Sequence, residues 1–126
     1  MAEYVETGRT YLDGAVLVGA MDGVVRDRMR MALNGHVTVT VIVDEQDEPL
    51  GEPWCEVMGL PARGKSDADL VEVMEADLQQ FLGRAGRKTI RDEERLEREL
   101  IRVVRTTAQA EIGKKPEVTV VVSRLA

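Results

Sequence analysis

The string Gly59-Leu60-Pro61-Ala62-Arg63-Gly64-Lys65-Ser66 fits G-x-x-x-x-G-K-S. In that spacing backbone amides cradle phosphate, a lysine reaches the outer phosphates and a hydroxyl holds magnesium. Upstream, the apolar run from Val39 to Val43 ends in Asp44, the side-chain type that would complete such a site. The order is wrong, however. In nucleotide-binding folds the acidic strand follows the loop and runs parallel to the loop's own strand, whereas here the acid comes first and on a hairpin partner. The few strands of this chain also cannot supply the parallel sheet whose carboxyl ends form a nucleotide crevice. The residues favour a Pro/Gly/Lys loop with Ser66 capping a helix over ATP or GTP hydrolysis, and no small-molecule substrate is expected.

Arg84, Arg87, Lys88 and Arg91 are four bases without an intervening acid. They fall at the expected tip of a helix hairpin, where the amides of the next helix also point, and are candidate RNA phosphate contacts. The plainer reading makes half of them complements to the preceding helix dipole and the rest a solvated turn. Arg26, Arg28 and Arg30 occupy alternate positions, which splay around a helix and make no stripe. Glu94 and Arg98, four apart, read as helix-surface support. Asp44, Glu45, Asp47, Glu48, Glu52 and Glu56 crowd one stretch with no basic residue among them. They lack the D-x-D-x-D-G spacing of a calcium loop and read as a solvated acidic tip.

One histidine, His36, and one cysteine, Cys55, cannot furnish a usual zinc shell or an internal disulfide, so no cofactor is expected in this domain. Cys55 lies between Trp54 and Glu56, with nothing electropositive in sequence to lower its pKa, and reads as packing. Four aromatic residues, Tyr4, Tyr11, Trp54 and Phe81, are too few for a base-stacking platform. A net charge of −6, from 23 acidic against 17 basic residues, argues against a general nucleic-acid coat. No membrane span or secretory leader is visible, and a reducing cytoplasm is the expected compartment.

The elements that would position these groups can be read from the same residues. At 126 residues with 44% apolar content, one domain with its own core is expected. Residues 1–20 hold three glycines and no sustained period; they read as an extended lead-in or linker with a turn at Asp13-Gly14, leaving 21–126 as the domain. Asp22 can cap a short helix over 23–34 that stops at Asn34-Gly35. Val37, Val39, Val41 and Val43 alternate with Thr38, Thr40 and Ile42, a strong strand signal. A weaker strand over roughly 52–59 should pair with it antiparallel, and Pro53 makes that strand an edge. A helix then opens at Ser66, with Leu70, Val73, Met74, Leu78, Phe81 and Ala85 as its stripe and Gly86 as its end. Thr89 caps a second helix that Gly113 terminates. Glu117 to Leu125 form another valine strand.

The fold class expected is α+β: a three-stranded mixed sheet with a two-helix hairpin packed on one face, preceded by a short N-terminal helix. The first valine strand sits centrally and the last runs parallel to it as an open edge. The second sheet face, carrying Thr38, Thr40, Ile42, Thr119 and Val121, is left uncovered by the two long helices. It is the candidate oligomer or domain interface.

Three junctions carry a resemblance: Gly8-Arg9-Thr10-Tyr11-Leu12-Asp13-Gly14; Asp22-Gly23-Val24-Val25-Arg26-Asp27-Arg28, with Asn34-Gly35-His36-Val37 after it; and Ala110-Glu111-Ile112-Gly113-Lys114-Lys115-Pro116-Glu117-Val118-Thr119-Val120. Together, and in this order, they resemble the C-terminal domain of ribonuclease J in its alphaproteobacterial form. That family is cytoplasmic, of the metallo-β-lactamase and β-CASP type, with exo- and endonuclease activity on RNA. Its zinc ligands lie in an H-x-H-x-D-H motif of the catalytic part. The present sequence has no such motif, so no catalytic or metal residue carries over, and zinc is expected only in a catalytic region outside it. The resemblance implies a non-catalytic domain that supports oligomer assembly and RNA cleavage, with the catalytic domains of the parent chain and a second copy as partners.

Overall fold

The computed structural model describes residues 33–125 in full and the backbone of residues 4–5, 10–13 and 16–19. Two compact units divide at Leu33 and Asn34. In the first, β1 (Tyr4–Val5), β2 (Thr10–Asp13) and β3 (Val16–Gly19) form an antiparallel three-stranded sheet. The β2 to β3 register sets Tyr11 opposite Val18 and Asp13 opposite Val16. The helix expected over 23–34 lies almost wholly outside the described residues, as do Arg26, Arg28 and Arg30. Its final residues Leu33 and Asn34 are helical, and Gly35 follows with φ +80°, the left-handed stop that glycine tolerates best.

The second unit is an α+β layer. β4 (His36–Val43) lies between β5 (Pro49–Met58), antiparallel to it, and β6 (Glu117–Arg124), parallel to it. Two long helices, α1 (Leu70–Arg84) and α3 (Glu93–Ile112), flank a short α2 (Arg87–Arg91). Strand residues alternate faces, and β4 shows the consequence. Val37, Val39, Val41 and Val43 are at most 2% exposed beneath the helices, while the intervening side chains look outward. Leu70, Met74, Leu78 and Leu82 of α1 and Leu96, Leu100, Val104 and Ala108 of α3 close the core. Thr107 Oγ1 donates to Asp77 Oδ2 at 2.6 Å, tying the two helices where a buried hydroxyl needs an acceptor.

The sheet order, the central position of β4 and the parallel final strand agree with the sequence reading. Three helix boundaries differ. Ser66 does not cap α1; Asp69 does, accepting from the Glu72 amide. The reason is tertiary, since Ser66 Oγ donates to Glu111 Oε1 and Asp67 takes φ +60°, which no helix accommodates. Gly86 does not end α1 but precedes α2, and the chain leaves α1 at Ala85. Thr89 is interior to α2, whereas Asp92 caps α3 by accepting from the Arg95 amide. Gly113 ends α3 with φ +68°, as expected.

Candidate functional site

Because the helices cover one face of the sheet, the other is defined by register. Thr38 sits beside Thr119, Thr40 beside Val121, and Ile42 beside Ser123. All five candidate residues thus share one face. β5 extends it with Trp54 opposite Thr40, Leu50 opposite Ile42 and Met58 opposite His36. Trp54 is 54% exposed, Met58 72% and Val121 46%, so the middle of this face is an apolar strip across three strands. The sequence reading missed Leu50, Trp54 and Met58. Their signal was the even-numbered alternation within 49–58, obscured by Glu52 and Glu56 at the same parity. His36 joins the face through Nε2, 2.8 Å from Thr119 Oγ1, an ordinary strand-end contact.

The two edges of the sheet are built differently. On β5 the Cys55 amide donates to Glu75 Oε2 at 2.9 Å, so the odd-numbered amides of this strand point away from β4. Pro53, of the same parity, has no amide hydrogen. One outward donor is therefore missing and the next is occupied. Burial, together with the Glu75 carboxylate, pushes the Cys55 thiol up to about 12, and the side chain is packed inward as expected. On β6 the Glu117 amide donates to Gly35 O and the Leu125 amide to Val43 O. Odd-numbered amides therefore face β4, and those of Val118, Val120 and Val122 face outward. No described strand pairs with them.

The basic tip meets the acidic hairpin. Arg87 pairs with Glu48 at 3.1 Å and Arg91 with Asp47 at 3.0 Å. Arg124 joins Asp47 at 3.0 Å and Glu93 at 2.9 Å, and also donates to Ile90 O. The hairpin acids, which have no base among them in sequence, are met by guanidiniums from α2 and β6. The hydrogen bond from Arg91, with the positive field of Arg91 and Arg124, holds the Asp47 carboxyl below the usual carboxylate range. Asp47 itself has φ +60°. Half of the predicted phosphate contacts are thus already on carboxylates; Arg84 and Lys88 make no ion pair with the described residues.

The G-x-x-x-x-G-K-S string is also occupied. The Lys65 amide donates to Glu111 O at 2.8 Å, the Ser66 amide to Glu111 Oε1 at 3.3 Å, and a Cβ on Gly64 would lie 2.5 Å from Glu111 O. A carboxylate takes the place where a phosphate would have to sit, and the helix begins only at Leu70. Asp44 turns its Oδ1 to the amides of Gln46 and Glu48 and so fastens the β4 to β5 turn. Among the described residues no three His, Cys, Asp or Glu side chains converge on a metal-sized point. The zinc centre that the resemblance implies for its family does not fit these residues. Among the described residues, no helix is long and apolar enough to cross a membrane.

Comparison with known proteins places this geometry in a family. The model of the ribonuclease J C-terminal domain matches residues 23–125. Ribonuclease J of Sinorhizobium meliloti (strain Sm2011 / Rm2011 / 2011) is 31% identical over 121 residues, covering 94% of this chain and 21% of the relative. The chain therefore spans about a fifth of the length of that curated relative. It belongs to the ribonuclease J C-terminal domain family.

Proposed function

We propose that this chain acts as the non-catalytic C-terminal domain of a cytoplasmic ribonuclease J-like enzyme that processes or degrades RNA. In this reading it holds copies of the enzyme together while catalytic domains elsewhere in the parent chain cut the RNA with the help of zinc. The observation that carries it is a β6 edge that no described strand pairs, beside an apolar outer face, on a sheet whose other edge carries Pro53 and the Glu75 carboxylate. Unpaired edges invite strand addition, and native sheets ordinarily guard against it.

A second copy suits this edge by symmetry. With β6 antiparallel to its twin about Val120, the outward amides and carbonyls of Val118 and Val122 meet each other across the two-fold. The two three-stranded sheets become continuous, and Val121 and Thr119 of both copies extend one face. Docking onto the catalytic part of the same chain is the other use of the surface.

Val121→Lys tests the reading, because it places a charge on the outer face without touching the core. Sedimentation velocity should find the native chain self-associated and the variant a folded monomer. An unchanged oligomer rejects the surface, and a native chain monomeric at all concentrations rejects assembly by this domain alone.

A further inference from the structure

The exposed side of α3 carries a feature that neither the basic tip nor the sheet face includes. Arg98, Arg102 and Arg105 recur at i, i+4 and i+7, which places them along one helix face. They line a shallow open groove with Ile101, Thr106 and Lys115. By helical rise the three arginines span about 10 Å. Between residues 98 and 115 there are five bases (Arg98, Arg102, Arg105, Lys114 and Lys115) and two acids (Glu99 and Glu111).

Both acids are engaged: Glu99 with Arg102 at 2.6 Å, and Glu111 with Ser66. Arg98, Arg105, Lys114 and Lys115 make no ion pair with the described residues. Glu94, which the sequence alone pairs with Arg98, forms no ion pair with it, although Glu94 and Glu97 line an adjoining cleft that Arg98 and Ile101 share at the N-terminal end of the stripe. At the tip, Arg87 and Arg91 are held by carboxylates, which leaves Arg84 and Lys88 there.

We propose that the α3 groove, and not the helix-hairpin tip, is a binding site for the phosphodiester backbone of single-stranded RNA. This rests on the reading of the chain as part of an RNA-processing enzyme. Guanidinium forks suit phosphate oxygens. A protein partner would need buried apolar or aromatic anchors, and Ile101 is the only large apolar residue in the lining. With no aromatic residue between 98 and 115, the groove cannot stack bases, so contact is independent of sequence. With a net charge of −6, RNA contact depends on local clusters of bases such as this stripe.

The test titrates this chain with a labelled single-stranded oligoribonucleotide over a range of salt concentrations. The native chain should bind at low salt. Arg98→Glu with Arg105→Glu should weaken binding at least tenfold and reduce the slope of log affinity against log salt by about 1.4, from the single-strand value per phosphate. Arg98→Gln with Arg105→Gln, which spares the helix the added acids, should reduce the slope in the same direction; circular dichroism checks the fold of both. Arg87→Glu with Lys88→Glu should change affinity less than twofold. The proposal is overturned if the native chain does not bind at low salt, if stripe reversal leaves affinity unchanged, or if the tip variant loses as much. It is also overturned if polyglutamate of matched charge displaces the RNA as well as unlabelled RNA does, which would assign the groove to an acidic protein. A chain silent toward RNA that still self-associates overturns this site alone and leaves the assembly reading standing.

Discussion

The two edges of the sheet share a central strand and differ in almost everything else. β5 lacks one outward amide hydrogen at Pro53, has the next held by Glu75, and shifts register between Thr40 and Ile42. β6 runs for eight residues with Val118, Val120 and Val122 directing their backbone groups outward. The contrast teaches that, among the described residues, the devices against pairing lie on one side. An edge guarded against every partner would show them on both. The difference between the two faces points the same way: the inner valines are covered, while Trp54, Leu50 and Val121 are not.

The largest effect should come from confusing the two faces. Val39 is fully buried and its neighbour Thr40 looks outward. Val39→Thr puts a hydroxyl with no partner into the core and should cost about 1–3 kcal/mol in urea denaturation. Thr40→Val should stay within about 0.5 kcal/mol. If the two costs were similar, the assignment of faces would be wrong.

Next in size is the guard on β5. Glu75→Ala frees the Cys55 amide and should cost about 1 kcal/mol. It should also make the chain prone to aggregate through its second edge, read by light scattering against time. A variant as well behaved as the native chain would mean that the carboxylate does not protect this edge.

Smaller still is the clasp at the end where the edges meet, since Pro49 and Arg124 both lie opposite Val43. The Asp47 carboxyl is lowered in the folded chain, so its contribution is complete above the ordinary carboxylate pKa. It is lost as pH falls through the lower folded value, that is, below about pH 4. Asp47→Asn should therefore flatten the fall in urea midpoint between pH 5 and pH 3. An identical acid profile would show that Asp47 does not hold Arg91 and Arg124.

Both valine strands, their order and the bare face were legible in the sequence because period two with β-branched residues is a local signal. The start of α1 was not, since it depends on Glu111 claiming Ser66 from 45 residues away. The pairing of Asp47 with Arg91 and Arg124, across 44 and 77 residues, was hidden for the same reason. Charges that crowd in sequence read as a solvated tip, whereas folding brings them opposite partners. The i, i+4, i+7 spacing of Arg98, Arg102 and Arg105 lies in the sequence, where only Glu94 and Arg98 read as a pair. That Arg98 and Arg105 make no ion pair with the described residues is not legible there, because that requires knowing where Glu99 and Glu111 point.

Amide hydrogen exchange along β6, measured at high and low protein concentration, tests the assembly edge most directly. Thr119, Val121 and Ser123 should be protected at both concentrations by their bonds to β4. Val118, Val120 and Val122 should be protected only when the chain is concentrated, and exchange fast on dilution. Fast exchange of those three amides at every concentration would contradict the account.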